Sequence, residues 1–182
     1  VFPAKTMIAA AMNPCKCGFF PDLGKCRCTP TQIRRYLNRV SGPFLDRIDI
    51  GVEVPRQDLG MMAAEKSIDE GSFPQAEQRN SSAVMRARVM EARARQEKRF
   101  ADESISYMTR RQIEEYCRLS GEDAVFLEKV ERQQGISARG HGKILKVART
   151  LADLDGQAEI GRTQLAEAIG FRSFEKKYWG SL

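Results

Sequence analysis

Four cysteines within fourteen residues, Cys15-Lys16-Cys17 and Cys26-Arg27-Cys28, constrain this chain more than any other feature. Two thiol pairs on one loop suit a tetrahedral thiolate site, because structural Zn²⁺ takes four soft ligands at about 2.3 Å. The C-x-C spacing departs from the common C-x₂-C pattern, so redox-active or simply reduced thiols stand as a second reading. Disulfides are a weaker third, since a bridge across one residue is strained and nothing marks a secreted chain. Cys117 stands far off in a helical pattern and reads as a small buried hydrophobe.

An almost uninterrupted apolar run over residues 6–12 precedes the thiols, and such a run predicts a strand buried on both faces of a parallel sheet. Pro14 keeps Asn13 extended at its end. Thr29-Pro30 then opens a helix, Thr29 as cap and Pro30 in the first turn, with Ile33, Tyr36, Leu37 and Val40 as its buried stripe. Ile48, Ile50, Val52 and Val54 alternate with polar or small residues, the period of a second, half-buried strand. Residues 57–80 are acidic, lack a period and read as a linker or mobile loop.

Beyond residue 80 the pattern is helical. A long helix to about Arg99 carries Met85, Val89 and Ala92 on one face; a second starts at the Thr109/Gln112 capping box; a third runs from about Glu122 to Gln134 and stops at Gly135. A fourth covers Ser137 to Asp155, and a short fifth covers Arg162 to Ile169. The expected architecture is an α/β fragment over 1–56 (a partial parallel sheet bearing the cysteine loop), a linker over 57–80 and an all-α lid over 81–182, mostly helical overall.

Composition sets outer limits. At 182 residues, with 42% hydrophobic and 30% charged content, the chain reads as globular. No stretch approaches the roughly 20 apolar residues of a membrane span and no signal peptide opens it, which with the thiols favours the cytoplasm. Val1 in place of an initiator methionine suggests a fragment or processed piece. The net charge of +6 fits a polyanionic partner, although a solvated surface explains it almost as well. The same holds for the run Arg86, Arg93, Arg95, Lys98 and Arg99, which reads as a solvated helix face; the cations beside the thiols, Lys16, Lys25 and Arg27, are more suggestive of nucleic acid, with Phe19 and Phe20 able to stack on bases or, equally, to pack under the loop.

Three segments carry a resemblance: residues 10–18 (Ala-Ala-Met-Asn-Pro-Cys-Lys-Cys-Gly), 41–50 (Ser-Gly-Pro-Phe-Leu-Asp-Arg-Ile-Asp-Ile) and 137–156, which begin Ser-Ala-Arg-Gly-His. In order, they resemble the bacterial Mg-chelatase-like AAA+ ATPases of the ComM/YifB competence family, and the likeness runs to about Arg172. It implies the late AAA+ core plus the helical lid. Lys16 stands where the family often has Pro, and His141 where an aromatic is more usual, so no role rests on His141. No G-x-x-x-x-G-K-[ST] occurs, so the phosphate loop and the acidic Mg²⁺ ligands are expected upstream.

The resemblance implies roles for three further residues. Asn13 takes the sensor-1 position, where a carboxamide at a strand exit can orient the attacking water or the γ-phosphate. Arg47 resembles an arginine finger offered to a neighbouring subunit, which requires a ring, by resemblance a hexamer. Arg139 resembles sensor 2, in the first turn of a Ser137-capped helix. Read from residues alone, each has a plainer meaning: a loop-tying Asn, an Arg47 salt bridge to Asp46 or Asp49, and an exposed helical Arg. The implied cofactors are ATP with Mg²⁺ for the parent protein and structural Zn²⁺ on Cys15, Cys17, Cys26 and Cys28. The implied function is a DNA motor for branch migration or unwinding, of which this chain alone is inactive. The alternatives are a magnesium chelatase ATPase subunit and a stand-alone zinc-ribbon nucleic-acid-binding module.

Overall fold

Helix signals in the sequence become helices with few shifts. The computed structural model describes residues 6–55, 81–99 and 105–180. The expected linker over 57–80 lies outside them. The helices are α1 (Pro30–Leu37), α2 (Gly42–Leu45), α3 (Ser82–Glu97), α4 (Arg110–Tyr116), α5 (Gly121–Gln134), α6 (Ala138–Leu154), α7 (Arg162–Gly170) and α8 (Ser173–Trp179), with a 3₁₀ turn at Ile105–Tyr107. None among the described residues is long and apolar enough to cross a membrane.

Both expected strands fail to form: the described residues contain no β-strand. Residues 6–12 carry no regular secondary structure and are exposed, Met7 to 93%. A strand exists only where a neighbour supplies its ladder, and no described segment lies alongside this one as such a partner. Residues 48–51 are fixed differently. Arg172 donates to the Ile48 carbonyl at 3.0 Å, the Gly51 N–H donates to the Phe171 carbonyl at 2.9 Å, and Lys143 pairs with Asp49 at 3.0 Å. Those bonds tie the segment, which bends at Asp49, onto the helices and leave Val52 and Val54 exposed.

The chain divides into two compact units. Val1–Arg47 with Phe174–Leu182 form the cysteine unit, and Ile48–Ser173 form the helical unit. In the cysteine unit Thr29 and Gln32 close a capping box on α1. Helix α8, which no sequence signal announced, belongs here: Trp179 donates from Nε1 to the Leu37 carbonyl at 3.1 Å, and Tyr178 meets Phe20 edge-on.

The helical unit is organised by α6. Ser137 caps it, accepting from the Gly140 N–H at 3.1 Å. Ile144, Leu145, Ala148 and Ala152 recur at helical spacing and are buried against α3, α4 and α7. At its far end Gly156 takes φ +72°, and the Gln157 N–H reaches back to the Ala152 carbonyl at 2.7 Å, a closure that a side chain at Gly156 would strain. Helix α5 ends the same way at Gly135, φ +68°, with Ile136 N–H on the Glu131 carbonyl. Of the stripe expected on α3, Ala92 is buried while Met85 and Val89 stay exposed, because this helix is fastened through its second half.

That fastening is ionic. Asp153 is fully buried in the apolar face of α6. Arg99 of the α3 end grips both its carboxylate oxygens, Arg149 donates to Oδ1 at 3.0 Å, and Arg95 donates to its main-chain carbonyl at 2.8 Å. Arg149 also holds the following turn through the Gln157 and Ala158 carbonyls. A second clamp joins α7 to α5, where Arg162 bonds Asp123 and lies over the Phe126 ring. Removing one member of a buried ion network strands the others, typically costing about 3–5 kcal/mol. Asp153→Ala should therefore lower the unfolding free energy of the helical unit by that order, measured by urea titration followed by circular dichroism.

The second clamp is legible in pH. The Arg162 hydrogen bond, then that of Ser120, holds the Asp123 carboxyl below its usual range against the opposing effect of burial. A depressed folded value contributes stability above the unfolded value of about 3.9 and loses it as pH falls through the folded one. Wild type should thus exceed Arg162→Ala in thermal midpoint at neutral pH, with the gap closing below about pH 4.

Candidate functional site

The cysteine loop is built by short-range bonds that turn four thiols inward. The Gly18 N–H closes a turn on the Cys15 carbonyl at 3.0 Å, with Gly18 at φ +77°, a conformation that favours glycine. The Phe20 N–H points at the Cys15 sulfur, 3.5 Å away. At the loop's far end the Asp22 carboxylate accepts from the Gly24 N–H at 3.0 Å, and its carbonyl accepts from Cys26 N–H at 2.8 Å, directing the chain back toward the first pair. Thr29 caps α1 directly after Cys28.

The sulfurs converge. Separations are 3.4 Å for Cys15–Cys17, 3.8 Å for Cys15–Cys26, 3.6 Å for Cys17–Cys26 and 3.5 Å for Cys17–Cys28, and all four lie within 4.8 Å of one another. A disulfide would bring two of them to about 2.05 Å. A tetrahedron with metal–sulfur bonds of about 2.3 Å has edges of about 3.8 Å, close to what the cage already offers. Donor chemistry and spacing therefore fit a metal such as zinc.

Electrostatics point the same way. The Phe19 and Arg27 N–H groups bring Cys17 down to about 6. Burial works to raise Cys15, but backbone donors led by the Phe20 N–H outweigh it and leave it lowered. The Cys28 N–H draws Cys26 downward, yet burial and the sulfurs of Cys17 and Cys15 push it up to about 11. Cys28 is likewise raised, its Cys17 neighbour prevailing over that neighbour's backbone donor. Two thiols are lowered and the other two are raised by the neighbouring sulfurs; a cation at the centre would favour the thiolate form of all four. Cys117 lies elsewhere, buried in the helical core and pushed to about 11 by that burial.

The remaining sequence-derived candidates are all exposed. Asn13 follows residues 6–12, two residues before Cys15. Arg47 follows α2, is the last residue of the cysteine unit's first segment, and donates to the Pro43 carbonyl; among the described residues no salt bridge to Asp46 or Asp49 forms. Arg139 sits in the first turn of α6, in the helical unit. Sequence reasoning missed Arg149 and Asp153; a charged pair four residues apart on the apolar stripe of α6 was the available signal. Phe20 packs on Tyr178, which occupies a ring that stacking on bases would need.

Residues 1–62 match the family described as magnesium chelatase, subunit ChlI, and residues 79–172 match magnesium chelatase, subunit ChlI C-terminal, which alone covers more than half the chain. The chain belongs to the magnesium-chelatase-like ComM/YifB family. Competence protein ComM of Haemophilus influenzae is 41% identical over 172 residues, 94% of this chain and 31% of that protein. The uncharacterized protein YifB of Escherichia coli is 39% identical over 175 residues, 96% of this chain and 32% of that protein. This member of the ComM/YifB family thus spans about a third of the length of the curated relatives it matches.

The only tryptophan, Trp179, packs on the cluster formed by the cage, Ile33 and Leu37, so it reports on the cage. Adding Zn²⁺ to chelator-treated, reduced protein should shift its emission to the blue and saturate at one equivalent per chain. Cys26→Ser should abolish the response; a chain whose emission ignores Zn²⁺ and whose elemental analysis shows no metal would contradict the fit.

Proposed function

We propose that the chain is the C-terminal part of a ring-forming AAA+ ATPase that couples ATP hydrolysis to remodelling of DNA, such as branch migration or unwinding. Support comes from family membership, from a relative that is a competence protein, and from the way three polar residues are mounted. Arg139 is the observation that carries most weight. It stands in the first turn of α6, a helix capped by Ser137 and anchored by the buried Asp153 network, so a guanidinium that senses a phosphate there is coupled to the whole helical unit.

In this reading Asn13 orients water or phosphate as sensor 1, and Arg47 reaches the nucleotide of a neighbouring subunit. Bound ATP with Mg²⁺ supplies the transferable phosphoryl group and the charge these side chains meet. Residues that cradle the phosphates come from outside this chain, in keeping with its lack of a G-x-x-x-x-G-K-[ST] motif. Cys15, Cys17, Cys26 and Cys28 would hold a structural Zn²⁺, whose role would be to stiffen the loop and not to take part in the chemistry.

The test is made on the full-length protein. Arg47→Ala should leave ATP binding within a few-fold and cut turnover by about 10³ or more, since a finger acts on the transition state. Rings mixed from Arg47→Ala subunits and phosphate-loop-defective subunits should regain part of the activity, because a sound phosphate loop then meets a sound arginine. Mixed rings that assemble and remain as inactive as either parent would remove the trans role.

A further inference from the structure

The positive charge of the chain is not evenly shared between its units. Among the described residues the cysteine unit holds nine Lys/Arg against three Asp/Glu, a net of +6, whereas the helical unit, about twice as long, holds seventeen against fourteen, a net of +3. With a Debye length of about 8 Å in physiological salt, a polyanion responds to local sums such as these and not to the total. Ion pairs occur in both units, Lys25 with Asp22 in the cysteine unit among them, and Arg86, Arg88 and Arg93 on α3 are exposed without one among the described residues, so what separates the units is the density of positive charge. In the helical unit Arg95 meets Glu91, Arg110 meets Glu114, Arg132 meets Glu128, and Arg99 is turned inward onto Asp153. In the cysteine unit Lys16, Arg27, Arg34, Arg35 and Arg39 are exposed, and among the described residues none of them forms an ion pair.

The placement of these cations follows from the fold. Both C-x-C arms turn their sulfurs into the cage and leave the intervening Lys16 and Arg27 exposed. On α1 the buried face is Ile33 and Leu37, so Arg35, and Arg39 just past the helix end, fall on the opposite side one turn apart. Holding these groups on a cage and a capped helix spares the ordering cost that free loops meet on binding. Guanidinium groups, three of these four, also match phosphate oxygens in a bidentate fork.

We propose that the cysteine unit, and not the arginine-bearing helix α3, is the surface by which this chain grips the phosphate backbone of nucleic acid. The inference rests on the DNA-remodelling reading and assigns its contact. Lys16, Arg27, Arg35 and Arg39 neutralise phosphates, binding is sequence-independent, and its strength falls steeply with salt.

The experiment uses the zinc-loaded chain and a labelled oligothymidine of about thirty nucleotides, followed by fluorescence anisotropy between about 50 and 200 mM KCl. Replacing Lys16, Arg27, Arg35 and Arg39 together by alanine should weaken binding by at least about tenfold, and should flatten the slope of log K against log salt by about 3 for four lost single-strand phosphate contacts. Arg86→Ala with Arg88→Ala and Arg93→Ala on α3 should stay within about twofold of wild type. Changing Arg27, Arg35 and Arg39 to lysine should keep the salt slope, which separates lost charge from lost fold. If wild type binds and the four-alanine protein binds equally well, or the α3 set is the one that loses affinity, this inference falls while the DNA reading stands. Absence of wild-type binding at the lowest salt overturns both. Loss of zinc in the four-alanine protein would show that the cations serve the cage charge, and equal affinity for phosphatidylserine vesicles would assign the surface to membranes; either result overturns the proposal.

Discussion

The cysteine unit has almost no interior, and that scarcity governs its construction. Its core cluster contains three buried residues, Cys15, Ile33 and Leu37. Units this small rarely secure a fold by apolar burial alone and depend on a metal, disulfides or a borrowed element. Two such supports are visible here. Four sulfurs converge where a metal would join both ends of the loop, and α8, from the far end of the sequence, covers the cluster with Tyr178 and Trp179. Binding energy from a thiolate-held metal would at the same time be folding energy for the cluster that Tyr178 and Trp179 cover.

The helical unit solves the opposite problem. It has apolar material in plenty, and what it requires is a unique arrangement of helices whose stripes could slide. Asp153 supplies the registration mark. Its carboxylate accepts from the end of α3 and from Arg149 of its own helix, while Arg149 reaches the turn that follows. A buried ion network of this kind adds less net stability than its contacts suggest, because desolvation opposes them. It does penalise any packing that leaves the charge unmet, and the same rigidity passes to Arg139 at the other end of α6.

How much of this the sequence disclosed depends on the range of the interaction. Helix ends were legible because caps are local: Thr29 with Gln32, Thr109 with Gln112, Ser137 ahead of α6 and Gly135 after α5 act within four residues. The cage was legible because the cysteines lie within fourteen residues. The strands were misread because alternation at 48–54 reports a backbone able to enter a sheet, while a ladder also needs a neighbour that spacing cannot show. Helix α8 went unseen because seven residues carry too little periodicity, and its partner Leu37 lies 142 positions away. Arg149 and Asp153 were passed over because charges on an apolar stripe look like interruptions until Arg99 is seen to reach them.

Those distinctions bear on which arginines are available for chemistry. Arg95, Arg99, Arg149, Arg162 and Arg172 are each held by carboxylates or carbonyls within the helical unit, and moving any of them would expose a buried group. Arg47 and Arg139, the two arginines proposed to meet nucleotide, are exposed and stand at helix ends, and the Pro43 carbonyl that Arg47 meets lies only four residues back in its own turn. A side chain that must meet a phosphate only during part of a cycle cannot also be a structural clamp, since its departure would cost the fold several kcal/mol. Among the thirty arginines and lysines of the chain, exposure on a rigid mount is therefore the physical property that a residue proposed to sense or transfer needs and a clamp lacks.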